Sequence, residues 1–151
     1  MNELPNAAAM AVMAVPKLFG GNLVWADKPN HKSILLATFQ PEDETGAILP
    51  GLSVQLEVTK AIVVDRCLYE FGLFKLEGGV RKRAYQLAVV PLNKRSHNTP
   101  SGPMFGPHEH LGEQVRTVSN DEIFCGQMGA AFAHFCSQIS LVFTGQTKFP
   151  L

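Results

Sequence analysis

The stretch LYEFGLFKLEGGVRKRAYQLAVV, residues 68–90, decides the fold class. Apolar and polar side chains alternate from Leu68 to Leu76, which is the period of a half-buried strand. Glu77-Gly78-Gly79 then supplies two glycines, which readily adopt the positive φ angles of a tight hairpin turn. Val80 to Val90 follows as a second strand-like run. The stretch therefore predicts an antiparallel β-hairpin.

Further strand signals lie on both sides of this hairpin. Ser33 to Phe39 is a β-like run, and Ser53 to Thr59 alternates between apolar and polar residues. Ile62 to Val64 is predicted to extend the second run beyond a bulge, and Leu141 to Phe143 predicts a short final strand. A series of strands followed by one strong helix signal favours an α+β fold over a parallel βαβ fold. We therefore expect an antiparallel sheet of four to six strands, connected as a meander or as hairpins.

The C-terminal part of the chain carries that helix signal. Ser119 and Glu122 have the spacing of a capping box, which marks a helix start. The apolar residues that follow recur at intervals of three and four, as on one face of a helix. They predict a long C-terminal helix of about five turns packed on one face of the sheet. This apolar stripe consists of Ile123, Phe124, Met128, Ala131, Phe132, Phe135, Cys136 and Ile139.

Length and composition fit one domain with an ordinary core. The chain has 151 residues, of which 46% are hydrophobic and 17% charged. A chain of this size buries about 70% of the surface that its unfolded form exposes. Its formal net charge at pH 7 is zero, so we expect no membrane-binding surface and do not favour nucleic acid as a partner. The prediction is a single α+β domain over residues 1–151.

The N-terminal residues 1–16 form an apolar arm or short helix in this interpretation. Ala7 to Val15 is apolar, but Glu3 stands where a secretory signal carries Lys or Arg. An exposed apolar run would be adhesive. We therefore expect the arm to be buried against the sheet or against a second subunit, which makes a homo-oligomer the expected assembly.

The cysteines suggest the cellular compartment. Cys67, Cys125 and Cys136 are odd in number and widely spaced, which fits neither a zinc motif nor a disulfide framework. Reduced thiols buried in the core of a cytoplasmic protein are the simplest expectation.

A long polar loop over residues 93–113 is the main candidate for chemistry. Segments of this length are usually either functional or disordered. His108 and His110 occupy alternate positions, so on an extended segment both point to the same side and can reach one metal ion. The predicted divalent-metal ligands are His108, His110 and Glu113. The predicted catalytic residues are His97, His108 and His110, while His134 is expected on the surface.

A basic stretch precedes this loop. Residues 80–96 contain no acidic side chain, and Arg81 and Arg83 are predicted to share one strand face with Tyr85. Arginine suits phosphate oxygens and histidine suits proton transfer. The predicted phosphate-binding residues are Arg81, Arg83, Lys94 and Arg95. The alternative is an edge strand whose charges prevent association.

Three functional hypotheses follow. The first is a non-enzymatic binding or interaction protein, since no complete catalytic set is evident. The second is a phosphodiester-acting, ribonuclease-like enzyme or an RNA-binding protein that uses the histidine loop and the basic stretch. The third is a metal-dependent enzyme with a His-x-His site. Convergence of His108 and His110 with a third polar group in a pocket would separate these hypotheses.

Overall fold

A computed structural model describes residues 2–60, 67–119 and 123–150. The suggested extension at Ile62 to Val64 and the capping partner Glu122 lie outside these residues. Neither described helix has the length and apolar character needed to cross a membrane. In chain order the elements are α1 (Asn6–Ala14), β1 (Lys17–Phe19), β2 (Ala26–Lys28), β3 (His31–Phe39), β4 (Leu52–Thr59), β5 (Tyr69–Glu77), β6 (Val80–Val89), β7 (Arg95–Thr99), β8 (Gly102–Phe105), β9 (His108–Leu111), β10 (Gln114–Thr117), α2 (Met128–Gln138) and β11 (Leu141–Phe143).

The predicted α+β class is confirmed, with a larger sheet than expected. Within the described ranges seven strands form an antiparallel sheet in the order β10-β9-β6-β5-β4-β3-β2. Outside it, β1 and β11 pair in parallel, and β7 and β8 form an antiparallel hairpin. The prediction of a loop over residues 93–113 is wrong, because β7, β8 and β9 all fall within that segment. These strands are mostly polar, and β8 contains Pro103, so they show little of the apolar alternation by which strands are predicted.

The central hairpin is confirmed, but it contains an unpredicted bulge. Gly78 and Gly79 take φ angles of 56° and 77° in the two-residue turn between β5 and β6. Further along, Leu73 pairs with Tyr85 while Phe74 pairs with Arg83, so Ala84 is an extra residue in β6. A bulge of this kind changes the side-chain alternation. The prediction that Arg81 and Arg83 share a face with Tyr85 is therefore wrong.

Helices α1 and α2 join one face of the sheet in a single hydrophobic core. In α2, Phe132 and Phe135 each lie edge-on to Phe71 of β5. The predicted long helix is wrong in length, since α2 has 11 residues and begins at Met128. Gly126 adopts a φ of 92°, which a right-handed helix does not allow, so the helix begins after it. The opposite face of the sheet stays largely polar and carries the candidate site.

The N-terminal arm packs against its own sheet. Helix α1 contacts β6 and β9 and buries Ala9, Val12 and Met13. The buried Lys17 follows it, and its Nζ donates hydrogen bonds to the carbonyl oxygens of Val12 and Ile139, both at 2.7 Å. Lys17 thus links the C-terminal ends of both helices, and burial lowers its pKa to about 8.

The expectation of three reduced thiols is wrong for two of them. Cys67 and Cys125 form a disulfide, and Cys136 is a buried thiol. Their Cα atoms are 6.0 Å apart, within the range that a disulfide spans. This proximity depends on the tertiary fold, because 58 residues separate the two cysteines in sequence.

Candidate metal centre

Strand β9 places two histidines on the polar face of the sheet. It pairs with β6 and β10, with Gln86 opposite His110 and Ala88 opposite His108. Because side chains alternate along a strand, His108 and His110 share one face while Glu109 points to the other. The predicted orientation of the two histidines is confirmed.

The β7–β8 hairpin supplies a third histidine. His97 lies on β7 opposite Met104 of β8, next to a register shift in the pairing. Gly106, between β8 and β9, has a φ of 76°, and its N–H donates a 3.0 Å hydrogen bond to the carbonyl oxygen of Lys94. This turn brings the chain from β8 to β9, so His97 lies beside His108 and His110.

The three imidazoles form a compact group. The ring centroid of His97 lies 4.7 Å from that of His108 and 5.0 Å from that of His110. One potential ligand nitrogen from each residue lies within 4.8 Å of the other two. The Nε2 atoms of His97 and His108 are 3.1 Å apart. Two nitrogen ligands of a tetrahedral zinc lie about 3.3 Å apart, so this pair is already close to a ligating separation. Ring movements of about 1–1.5 Å would bring the full set to a metal.

The protonation of the site also suits metal binding. Nδ1 of His108 lies 3.1 Å from the carbonyl oxygen of Gly106. If Nδ1 carries the proton, it donates this bond and leaves the Nε2 lone pair for a ligand. Burial lowers the pKa of His108, and burial together with the nearby Arg83 lowers that of His110 to about 3. Both rings are therefore neutral at pH 7, which is the form that binds metal.

The histidines border an open pocket of about 470 Å³. Its walls include Glu3 and Glu70 as well as the basic side chains of Arg83, Lys94 and Arg95. Arg83 is 7% exposed and donates hydrogen bonds to Glu3 at 2.8 Å and to Gln86 at 2.9 Å. Its Nε has no hydrogen-bond partner among the described residues.

Two of the sequence-predicted site residues lie elsewhere. Glu113 lies in the exposed turn between β9 and β10, where its backbone N–H donates to Asn6, and it is not part of the three-residue cluster. His97 takes the place predicted for Glu113 in the metal set. Arg81 lies over the Phe74 ring, 4.3 Å from its centroid, and lines a neighbouring pocket instead. The other predicted residues, His97, His108, His110, Arg83, Lys94 and Arg95, all line one pocket.

Sequence reasoning missed Glu70, which also lines this pocket. It lies on β5 opposite Ala88, which in turn lies opposite His108 on β9. Burial, reinforced by the neighbouring Glu57, raises the pKa of Glu70. A hairpin register without the bulge would have placed Glu70 opposite Leu87 instead of Ala88. Only the bulge and the strand order β9-β6-β5 connect Glu70 to the histidines.

A polar network on the other face holds β9 in place. Glu109 is 6% exposed and accepts hydrogen bonds from the Tyr85 hydroxyl and from Arg116. His134 of α2, predicted to be a surface residue, is half-buried and lies 3.5 Å from the same carboxylate. Burial alone would raise the pKa of Glu109, but the hydrogen bonds from Tyr85 and Arg116 outweigh it and keep the pKa below its usual value. This network fixes the strand that carries two histidines.

No family model, curated protein or solved structure matches this chain. The functional argument therefore depends on the geometry of the site.

Proposed function

We propose that this protein binds one divalent transition metal ion through His97, His108 and His110. The observation that carries the proposal is the convergence of three imidazoles from two strands at the edge of one pocket. Three histidine ligands around an open coordination position are the arrangement of catalytic zinc sites, whereas structural zinc sites are closed by four protein ligands. Of the three functional hypotheses, the proposal adopts the metal-binding one, with His97 in place of Glu113 as the third ligand.

The donor set indicates zinc or a chemically similar ion. Neutral imidazole suits zinc, copper, nickel and iron, whereas calcium and magnesium prefer oxygen ligands. The Gly106 carbonyl provides the outer hydrogen bond that commonly orients a ligating histidine. Arg83 opposes a cation electrostatically, and its pairing with Glu3 offsets part of that effect.

Competition with a chromophoric zinc chelator tests this proposal. We expect one zinc ion per chain, and an affinity at least about 100-fold lower in His97→Ala, His108→Ala and His110→Ala. His31→Ala is the matched control, because His31 is exposed at the start of β3. Glu113→Gln should also bind zinc normally. Equal zinc affinity in wild type and all three cluster variants would refute the proposal.

A metal-free phosphodiester-acting or RNA-binding site is the second candidate. Its specific support is the presence of Arg83, Lys94 and Arg95 in the same pocket as the histidines. Acid–base cleavage of this type needs one histidine as a protonated acid, and the lowered pKa values of His108 and His110 oppose that role. RNA binding or cleavage that persists in excess chelator, and is lost in His108→Ala, would favour this candidate over the metal site.

Self-association remains a proposal with reduced support. Helix α1 already buries one side against its own sheet, so the arm needs no second subunit to cover that side. Met10 remains 59% exposed and is the residue around which an interface could form. Light scattering of wild type and Met10→Glu would show whether a dimer exists and whether it depends on this helix.

The cytoplasmic location expected from the sequence is opposed by the disulfide. Bonds such as Cys67–Cys125 persist mainly in oxidising compartments. We therefore favour an oxidising compartment. Thiol alkylation before and after reduction should label one cysteine, then three, in protein isolated from its native source; three labels before reduction would restore the cytoplasmic assignment.

A further inference from the structure

We infer that Arg83 and the open position of the metal together bind an oxyanion, a carboxylate or phosphate group of a small ligand. The inference deepens the proposed function and rests on it. The pocket contains the metal-binding histidines and an arginine whose hydrogen bonds are incomplete.

The incomplete bonding of Arg83 is the first support. A guanidinium group has five N–H donors in a planar fork. Two of those of Arg83 bond Glu3 and Gln86, and its Nε has no partner among the described residues although the residue is only 7% exposed. Buried polar groups are normally hydrogen-bonded. Nη1 and Nη2 each carry a second N–H group besides the one bonded to Gln86 or Glu3. An oxyanion beside this end of the fork would supply acceptors for them.

The bulge in β6 explains why Arg83 is available at this place. Without the extra Ala84, Arg83 and Tyr85 would share a face, and one of the two would be on the wrong side of the sheet. With it, Tyr85 reaches Glu109 in the core while Arg83 faces the pocket. The bulge at Ala84 thus directs Tyr85 toward Glu109 of β9 and directs Arg83 into the pocket beside the metal site.

The charge of the pocket also favours an anion. Three basic side chains, Arg83, Lys94 and Arg95, face two acidic ones, Glu3 and Glu70. The excess is one positive charge when the histidines are neutral, and a divalent metal would add two more. Such a site attracts anions although the whole chain is neutral. Arg83 would hold the ligand through the remaining N–H groups of Nη1 and Nη2, as arginine does with carboxylates and phosphates, while one ligand oxygen occupies the open metal position.

Calorimetric titration with inorganic phosphate and, separately, with acetate tests the inference on metal-loaded and metal-free protein. Zinc is used for calorimetry, and cobalt(II) is used to detect ligand entry into the metal shell through visible absorption. We expect at least one of the two anions to bind the loaded protein and to bind metal-free protein at least tenfold more weakly. A preference for phosphate over acetate, or the reverse, identifies the class of the natural ligand.

Variants separate the anion site from the metal site. Arg83→Gln should lower anion affinity at least tenfold without weakening metal binding, because loss of the positive charge removes a repulsion on the metal ion. Arg81→Gln is the matched control, because Arg81 is two residues away and lines the neighbouring pocket. If Arg83→Gln does not fold, Arg83→Lys and the exposed pair Lys94→Gln, Arg95→Gln serve in its place.

Three outcomes would overturn the inference. Metal-loaded wild type that binds neither anion refutes it and leaves the proposed metal site standing. Equal anion affinities in the Arg83 and Arg81 variants would also refute it. A wild type that takes up no metal refutes the proposed function, and the inference with it.

Discussion

The hydrogen bonds around Glu109, behind the metal site, allow a specific prediction about stability. Tyr85→Phe removes one hydroxyl and keeps the ring, whose centroid lies 6.0 Å from that of Phe135. Tyr85 has no solvent exposure, and its hydroxyl donates a 2.5 Å hydrogen bond to the Glu109 carboxylate. Without it, that carboxylate oxygen is left with His134 at 3.5 Å. Hydrogen bonds to charged groups contribute about 1.5–3 kcal/mol, which is the expected loss in unfolding free energy.

Tyr69→Phe is a matched comparison for this variant. Tyr69 is 1% exposed, and its hydroxyl accepts a 3.0 Å hydrogen bond from the backbone N–H of Gly126. Both partners are uncharged, so the expected loss is only about 0.5–1.5 kcal/mol. The two substitutions remove the same atom from buried tyrosines, and the difference of about 1–1.5 kcal/mol isolates the charge of Glu109.

Urea denaturation with the disulfide intact measures both losses. With a slope of about 1–3 kcal/mol per molar urea, the two midpoints should differ by about 0.3–1.5 M. Tyr85→Phe should also weaken zinc binding, because Glu109 lies between His108 and His110, whereas Tyr69→Phe should not. If Tyr85→Phe is no more destabilising than Tyr69→Phe, the Glu109 network does not hold β9 in the way described.

Three further predictions address the rest of the molecule. Phe132→Ala should lower the unfolding free energy by about 3–5 kcal/mol, and a loss under about 1 kcal/mol would contradict its place in the core. Lys17→Met leaves buried carbonyl oxygens unpaired and should cost about 1–3 kcal/mol, while the exposed Lys32→Met should change stability little. Hydrogen bonds from Thr45 lower the pKa of Asp43. A lowered folded pKa stabilises the protein fully above the unfolded pKa, and this contribution is lost as the pH falls toward the folded pKa. The stability advantage of wild type over Asp43→Ala should therefore shrink between about pH 5 and pH 3. A constant difference across this range would contradict the hydrogen bonds of this turn.

The parts of the fold that could be predicted are those with a local signal. The alternation in β5 and the Gly78-Gly79 turn define the hairpin within about twenty residues. The start of α2 could not be found in this way. Ile123 and Phe124 belong to the apolar stripe but precede the helix, which begins at Met128. Ile123 is apolar because it is buried in the core, whereas Phe124 is 39% exposed.

The candidate site also has one part that local sequence predicts and one part that it does not. The shared face of His108 and His110 follows from the alternation of side chains along β9. The choice between His97 and Glu113 as the third ligand depends on how β7 and β8 fold back, which no local pattern specifies. Glu70 and Glu109 lie near the site because of the strand order β9-β6-β5. Strand order depends on contacts between distant parts of the chain, which no local pattern predicts.

X-ray absorption spectroscopy of the zinc-loaded protein tests the central claim most directly, because it counts the ligands of the metal. We predict three imidazole ligands at about 2.0–2.1 Å and one further light-atom ligand at the open position. His97→Ala should reduce the imidazole count to two, and Glu113→Gln should leave the spectrum unchanged. A wild-type spectrum with two or fewer imidazoles, or a His97→Ala spectrum identical to that of wild type, would contradict the three-histidine metal centre.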